Sequence, residues 1–233
     1  MMHPINSVDI KSMLGECTIH KRGTGQRAGQ DKRTYISIIS AFDIETTRIE
    51  TIDNSVMYVW MWHFRHMDKP DKGFTVYGRT WQEYLNTCHQ IKEFISEQLP
   101  TAQNAYMVRL VHNLSYEFQF LSGIYPYTEN EVFAMSKRKV ARADEFGCIE
   151  DRCTYIHSNL SLRRYAESWN AEHQKESGID FDYSKPRFPW TELTPEELQY
   201  CEHDVLAVTE AYLNEMKYYK DTLYSVPLLR QAM

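Results

Sequence analysis

Two acidic residues separated by one residue, Asp43 and Glu45, end a β-branched apolar run of the sequence. In an extended chain, residues i and i+2 point to the same face, so the two carboxylates can converge on one point. Neighbouring carboxylates repel each other unless a cation neutralises them, and Mg²⁺ and Mn²⁺ prefer such oxygen ligands. Many strands end in acids by chance, so this pair alone is weak evidence for a metal site.

A further carboxylate, Glu117, belongs to the segment His112–Phe120, which closes a predicted strand and opens a predicted helix. A carboxylate in the first helical turn can reach back over the edge of a sheet, although it can also simply complement the helix dipole. Asn113, Tyr116 and Phe120 surround it with an amide and two aromatic rings. Unpaired nucleobases stack on such rings, and for each ring alone a place in the core is an equally good interpretation.

The third acidic feature is the pair Tyr200 and Asp204 in the segment YCEHD. A spacing of four places both side chains on one face of a helix. The neighbouring face is apolar and contains Leu198, Cys201, Val205, Val208 and Tyr212. The pair therefore lies at the edge of the buried stripe, where a docked helix can present it to a cleft. Taken alone, the pair is more typical of a solvated helix flank.

The elements that must position these residues follow from hydrophobic periodicity and from turn and capping residues. Strands are predicted over Tyr35–Ile44, Ser55–Phe64, Gly73–Gly78 and Ala105–Asn113, with short β segments over 131–157. Capping boxes at Thr80 with Glu83 and at Thr194 with Glu197 predict two long helices. Shorter helices are predicted over 115–123 and 161–169. This order predicts an α/β fold, a mixed β-sheet flanked by helices, with its function at the carboxyl ends of the strands.

Composition sets limits on the class of protein. The 233 residues suit one domain, and a net charge of −6 gives no global sign of nucleic-acid binding. The longest apolar stretch, Val56–Trp62, is too short to cross a bilayer, and the N-terminus lacks a secretory signal. Five scattered cysteines without a CxxC pair are typical of reduced thiols inside a cell. Cys148, Cys153 and His157 lack the fourth ligand of a structural zinc site.

Two basic segments have two interpretations each. Residues 1–34 are predicted to be a flexible basic N-terminal arm, because Lys21–Arg33 contains five basic residues and three glycines. The arm is either solvated or helps to hold nucleic acid. The segment Ser136–Arg142 has four basic residues and no acid, which indicates either a solvated hairpin or a phosphate-contacting edge.

The motifs FDIETT, HNLSYE and YCEHD, in that order, resemble the three exonuclease motifs of family B DNA polymerases, most closely the protein-primed polymerases of bacteriophages. The segment Ser161–Tyr165 (SLRRY) is similar to the family's Ser/Thr-Leu-x-x-hydrophobic motif, which contacts single-stranded DNA. The resemblance runs from about Tyr35 to Leu228. It predicts an exonuclease domain over residues 35–228, followed by a tail over 229–233, and no segment resembles the polymerase motifs.

This resemblance implies an RNase H-like (DnaQ-like) fold and a 3′→5′ exonuclease that releases 5′-mononucleotides with two divalent cations, Mg²⁺ or Mn²⁺. One cation would be held by Asp43, Glu45 and Asp204, and the other by Asp43 and Glu117. Tyr200 would orient the attacking water. The DNA 3′ end would be lined by Thr46, His112, Asn113, Tyr116, Phe120, Ser161 and Leu162.

The sequence departs from the family's pattern at two places. Glu117 stands where the family usually has Asp, and a longer carboxylate can still bind a divalent ion. For the family's catalytic lysine, which precedes the third motif, Lys175 is the candidate and Lys185 the alternative.

The expected partners are single-stranded DNA 3′ ends and, in addition, a separate polymerase subunit or a terminal protein. The expected location is the cytoplasm, that of a bacterial host cell if the chain is phage-encoded, and no membrane is involved. The chain is then a stand-alone enzyme or the proofreading part of a phage-type polymerase. The alternatives are a catalytically inactive module that binds single strands or recruits a polymerase, and an RNase of similar fold.

Overall fold

The computed structural model describes residues 1–22, 33–69, 71–102, 104–173, 182 and 185–219. The strands are β1 (Met2–Pro4), β2 (Ile19–Arg22), β3 (Thr34–Ile49), β4 (Asn54–His66), β5 (Gly73–Gly78), β6 (Ala105–Val111), β7 (Val132–Ser136), β8 (Lys139–Glu145) and β9 (Ile149–Cys153). The helices are α1 (Ile10–Leu14), α2 (Trp81–Gln98), α3 (Leu114–Leu121), α4 (Thr154–Ser158), α5 (Leu162–Ser168) and α6 (Pro195–Tyr218).

These strands form one mixed sheet in the order β1-β5-β4-β3-β6-β9-β8-β7, and β2 pairs with β3 beside this path. Strands β3, β6 and β9 run parallel, whereas β4 and β8 are antiparallel to their neighbours β3 and β9. The carboxyl ends of β3, β6 and β9 therefore meet at one edge of the sheet. This arrangement confirms the predicted mixed sheet flanked by helices.

Helices cover both faces of the sheet, and β3 contributes alternate residues to the two cores. Phe42 and Ile44 pack in the core beneath α1, α2 and α3. Ile39 and Ala41 pack in the other core, beneath α5 and α6. Because side chains alternate along a strand, Asp43 and Glu45 point to the side that α6 covers.

Both predicted capping boxes are confirmed. The side chain of Thr80 accepts a hydrogen bond from the Glu83 amide at the start of α2, and Thr194 and Glu197 do the same for α6. The apolar face predicted for α2 is also confirmed, since Tyr84, Cys88, Ile91 and Ile95 are all buried. Among the helices within the described ranges, none is long and apolar enough to cross a membrane.

The structure differs from the predicted flexible arm over residues 1–22. Strand β1 pairs with β5, and Asp9 caps α1, since its side chain accepts a hydrogen bond from the Lys11 amide. Ile10 and Leu14 of α1 are buried in the core beneath α2. A five-residue helix is too short for its periodicity to stand out in a sequence, which explains the difference. Residues 23–32 of the predicted arm lie outside the described residues.

The last basic residue of this predicted arm, Arg33, is engaged inside the protein. Its guanidinium lies 2.6 Å from Asp144 Oδ2 and 2.5 Å from Glu150 Oε2, and both carboxylates are buried. Arg33 therefore neutralises internal acids, and its charge is not available to the phosphates of a nucleic acid.

A buried histidine in β4 should make the fold sensitive to mild acid. Burial, followed by the charge of Arg65, lowers the pKa of His63 to about 3, and its Nδ1 shares a 3.0 Å hydrogen bond with Thr75 Oγ1. The unfolded chain takes up a proton on His63 below about pH 6.5 and the folded chain does not, so stability falls as the pH drops from about 6.5 towards 3. Between pH 7 and pH 5 we expect His63 to lower the free energy of unfolding by about 2 kcal/mol.

Urea unfolding at pH 7 and pH 5 checks this prediction. The His63→Gln variant should lose about 2 kcal/mol less than the wild type on acidification. The exposed His89 provides the matched control, because His89→Gln should follow the wild type at both pH values. Equal acid sensitivity of His63→Gln and the wild type would contradict the prediction.

Candidate active site at the sheet edge

Three carboxylates converge where β3 approaches its carboxyl end. One oxygen each of Asp43, Glu45 and Asp204 lies within 4.8 Å of the other two, and we call these residues the acid cluster. Asp43 and Glu45 are half-buried on β3, and Asp204 is buried on α6. Asp43 and Glu45 point towards α6 because side chains alternate along β3. The packing of α6 on the sheet places Asp204 next to them.

Packing of α6 fixes the position of Asp204. Cys201 and Val205, on either side of it in sequence, are buried against the sheet. Burial raises the pKa of the Cys201 thiol, and the charges of the nearby Glu45, Asp43 and Asp204 raise it further. Tyr200, one turn before Asp204, is 6% exposed. Tyr200 and Asp204 thus border the buried stripe, as the sequence spacing predicts.

A β-bulge sits beside the acid cluster. Glu45 pairs with Val59 and Thr46 pairs with Met57, which leaves Tyr58 as the extra residue on β4. Such bulges bend a strand and change the aim of its side chains. Burial raises the pKa of Tyr58, and the charge of Glu45 raises it further. The bulge therefore lies directly opposite the acidic end of β3.

A fourth carboxylate reaches the acid cluster from α3, on the other face of the sheet. Glu117 is 2% exposed, and burial followed by the charge of Asp43 raises its pKa. Its Oε2 is buried and accepts no hydrogen bond from any residue that the structure describes. A buried carboxylate oxygen without a donor is suited to a cation, and a bound cation changes the local pKa values.

The geometry of the acid cluster fits a divalent cation. Mg²⁺ binds oxygen at about 2.1 Å, so two ligands on opposite sides of the ion are about 4.2 Å apart. The cluster's oxygens lie within 4.8 Å of one another, which is close to this separation. Asp43 of the acid cluster is also close to Glu117, so its carboxylate can serve as a ligand of a second ion on the α3 side.

Aromatic rings lie next to the acids. The Tyr116 hydroxyl shares a 2.5 Å hydrogen bond with Thr46 Oγ1, and its ring lies 5.6 Å from that of Phe120. Burial raises the pKa of Tyr116, the hydrogen bond to Thr46 lowers it, and the charges of Glu117 and Glu45 raise it. A cleft of about 670 Å³ opens beside these rings and is also lined by Trp81. The predicted aromatic residues thus form an open surface next to the acid cluster.

The other predicted DNA contacts lie at the same edge or on α5. His112 Nδ1 shares a 3.0 Å hydrogen bond with Thr154 Oγ1, and Asn113 is exposed at the N-cap of α3. Ser161 is exposed and caps α5, whereas Leu162 is buried in the same core as Tyr200. The structure therefore leaves Ser161 accessible and places the Leu162 side chain inside the protein.

Of the two candidate lysines, Lys185 lies within the described residues. Lys175 lies outside the described residues. The Lys185 side chain is 52% exposed, and its Nζ lies 3.7 Å from Glu197 Oε1. Lys185 thus belongs to the loop that precedes α6, near the helix that carries Asp204.

One residue of this loop, Arg187, was not singled out from the sequence. It is 3% exposed, and its Nε and a terminal nitrogen donate to Glu197 Oε1 at 2.9 and 2.7 Å. Its backbone amide donates to Thr47 Oγ1 at 3.0 Å, which ties the loop to β3 two residues after Glu45. A single arginine in an irregular segment carries no periodicity, so the sequence gives no signal of this role.

The fold and the acid cluster together define a class, a mixed α/β domain with a carboxylate site at the carboxyl edge of its sheet. Solved structures of one protein share this fold. The structure of Phi29 DNA polymerase complexed with single-stranded DNA matches 80% of this chain over 33% of the polymerase chain, with a TM-score of 0.58 and 14% identity. The ternary complex of Phi29 DNA polymerase with primer-template DNA and incoming nucleotide substrates matches 80% of this chain over 32% of the polymerase chain, with a TM-score of 0.57 and 13% identity.

These matches show a likeness of fold. The chain spans about a third of the length of these polymerases. No protein-family model matches the chain, and no curated protein matches it.

Proposed function

We propose that the chain is a metal-dependent 3′→5′ exonuclease with an RNase H-like fold, which hydrolyses single-stranded DNA ends to 5′-mononucleotides. The observation that carries the proposal is the convergence of the acid cluster with Glu117 at the carboxyl edge of the sheet. The order of the three sequence motifs supports it. The fold shared with polymerase structures that contain DNA favours DNA over RNA as the substrate.

The chain's own residues would divide the chemistry among them. Asp43, Glu45 and Asp204 hold one divalent cation, and Asp43 and Glu117 hold the other. When bound, two such cations supply an activated water and stabilise the leaving 3′ oxygen. Tyr200 orients the attacking water from its position one turn before Asp204. The cations also invert the local field, which allows an acidic site to bind a polyanion.

The aromatic surface would hold the end of the strand. Tyr116 and Phe120 stack on the terminal bases, and the hydrogen bond between Tyr116 and Thr46 keeps the Tyr116 ring beside the acids. His112 and Asn113 continue this path. Because only unpaired bases expose both faces for stacking, the site accepts single strands and frayed duplex ends.

The proposal covers a stand-alone enzyme or the proofreading part of a phage-type DNA polymerase. A separate polymerase subunit or a terminal protein is then a further partner, in the cytoplasm of a bacterial host. Lys185 or Lys175 takes the place of the family's lysine in this proposal.

The first test follows a 5′-labelled single-stranded DNA oligomer in Mg²⁺, in Mn²⁺ and in EDTA. We expect a ladder that shortens from the 3′ end in either metal, no cleavage in EDTA, and recovery when excess Mg²⁺ is added back, since four carboxylates without cations would repel the phosphate. An RNA oligomer of the same sequence should be cut more slowly. Intact DNA in both metals, with binding retained, would overturn the proposal in favour of a binding module.

A further inference from the structure

A second cleft, of about 460 Å³, opens at the same edge of the sheet. We call it the basic cleft, and its lining includes Asn113, Met135, Arg138, Lys139, Tyr155 and Asn159. We propose that the basic cleft binds the substrate strand upstream of the acid cluster, with Arg138 and Lys139 on its phosphates and Tyr155 on a base. This inference rests on the proposed function and extends it to Arg138, Lys139 and Tyr155, which lie outside the three sequence motifs.

Strand register places the basic cleft next to the acid cluster. Phe42 pairs with Val111, and Val111 pairs with Cys153. The residues that come next in the chain after these three therefore lie at the same level along the strands. Neighbouring strands are about 4.8 Å apart, which puts β9 about 10 Å from β3. Strand β8 is antiparallel to β9 and therefore begins at this edge, so the turn that carries Arg138 lies there too.

Helix α3 connects the two sites. Asn113 occupies the N-cap position of the helix and lines the basic cleft, and Glu117 lies four residues later beside Asp43. Four helical residues rise by about 6 Å, so a strand that leaves the acid cluster along α3 enters the basic cleft at once.

The charges of the basic cleft suit a phosphodiester backbone. Arg138 and Lys139 are exposed, and within the described residues neither forms an ion pair. No acidic residue lines this cleft in the described part of the chain. In the same hairpin, Arg142 lies 3.7 Å from Asp144 and is therefore already engaged. Exposed cations in a chain of net charge −6 form a local positive surface, which a polyanion can find.

The cleft also offers a surface for stacking. Tyr155 is 43% exposed on α4, and its ring packs edge-to-face against His112 at 5.9 Å. The hydrogen bond between His112 and Thr154 orients this pair. Ser115 Oγ of α3 accepts a 2.9 Å hydrogen bond from the Val140 amide, which fixes the hairpin relative to α3. The cleft is thus formed before any strand binds, so binding costs little reordering.

The test measures binding of a phosphorothioate-linked single-stranded DNA oligomer, which resists hydrolysis, at several salt concentrations in Mg²⁺. Arg138→Gln/Lys139→Gln should bind more weakly, and its slope of log K against log[salt] should be shallower by about 1.4, since each phosphate contact on a single strand contributes about 0.7. Tyr155→Leu should bind between about fivefold and a hundredfold more weakly with an unchanged slope, because stacking involves no counterions.

A matched control removes two charges elsewhere. Lys69 and Lys72 are exposed in the turn between β4 and β5, at the opposite edge of the sheet. Lys69→Gln/Lys72→Gln should keep the wild-type slope. A cleft variant that keeps the affinity and slope of this control would overturn the inference.

Hydrolysis of the p-nitrophenyl ester of thymidine 5′-phosphate separates this inference from the proposed function. This small substrate needs the acid cluster and leaves the basic cleft empty, so the cleft variant should hydrolyse it at the wild-type rate while its KM for the oligomer rises. Wild-type protein that cleaves both substrates, with an unchanged oligomer KM in the cleft variant, would refute the cleft alone. Wild-type protein that cleaves neither substrate would refute the exonuclease itself.

Discussion

Asp204→Asn should lower the rate of oligomer hydrolysis by at least about a hundredfold. Substitution of residues that only hydrogen-bond to the ligands of a metal can already lower activity by up to about a hundredfold. The substitution keeps the volume of the side chain and removes one of three carboxylates whose oxygens lie within 4.8 Å of one another. A neutral amide is a weaker ligand for Mg²⁺ than a carboxylate, so the affinity for metal should fall together with the rate.

Two measurements make this prediction specific. Calorimetric titration with Mn²⁺ should show a tight site in the wild type and a weaker one in Asp204→Asn. Glu202 lies on the same helix but outside the acid cluster, so Glu202→Gln removes an equal charge and should leave both readouts unchanged. Equal rates and equal metal affinity for Asp204→Asn and Glu202→Gln would contradict the proposed metal site.

Local chemistry explains which parts of the fold were predictable. Helices α2 and α6, which Thr80 and Thr194 cap, each have a capping box followed by a long apolar stripe. For each helix, the capping box and the stripe lie within one segment of the sequence. The predicted strand β5 (Gly73–Gly78) coincides with the observed one, because turn residues bound it on both sides. Where the determinants are local, the sequence was sufficient.

Long-range pairing explains the differences. Strand β3 continues to Ile49, five residues past its predicted end, because β4 pairs with its polar continuation and compensates for the missing apolar pattern. Residues 154–157 were predicted as β structure and form the short helix α4 instead. A helix of one turn at the end of a strand has too few residues to show a helical period.

The candidate site likewise has some features that depend on local sequence and others that depend on long-range packing. The i, i+2 spacing of Asp43 and Glu45 and the i, i+4 spacing of Tyr200 and Asp204 could be read directly from the sequence. The burial of Glu117 against Asp43, 74 residues away in the sequence, depends on how α3 packs on the sheet. The role of Arg187 likewise depends on a contact with Thr47, 140 residues away.

Arg109→Met should lower the free energy of unfolding by about 3–5 kcal/mol, the usual cost of removing one partner of a buried ion pair. Arg109 is fully buried on β6, and it donates to Asp151 at 2.5 and 2.8 Å and to the Tyr84 hydroxyl at 2.7 Å. Glu145 lies 3.1 Å from the same guanidinium. The substitution leaves two buried carboxylates without their cation.

Urea unfolding near pH 7 measures this loss as a lower midpoint with an unchanged m-value. The exposed Arg163 is the control, because among the described residues its one ion pair is with Glu167 on α5, and Arg163→Met should stay within about 0.5 kcal/mol of the wild type. Adding Asp151→Asn to Arg109→Met should restore part of the loss, because it removes one uncompensated charge. Arg109→Met with the stability of the Arg163 control would contradict the prediction.

The buried charges around Arg109 also affect the electrostatic potential at the acid cluster. Arg109 lies 4.7 Å from the ring of Phe42, the residue before Asp43, and Asp151 adds to the charges that raise the pKa of Glu117. Arg109 therefore offsets the negative potential of buried acids on β8 and β9 just behind the site. Without this cation, the negative potential at Asp43 and Glu117 would increase, and the cluster would become harder to fold in the absence of metal. The stability of Arg109→Met should consequently gain more from added Mn²⁺ than that of Arg163→Met, which differential unfolding with and without the metal would show.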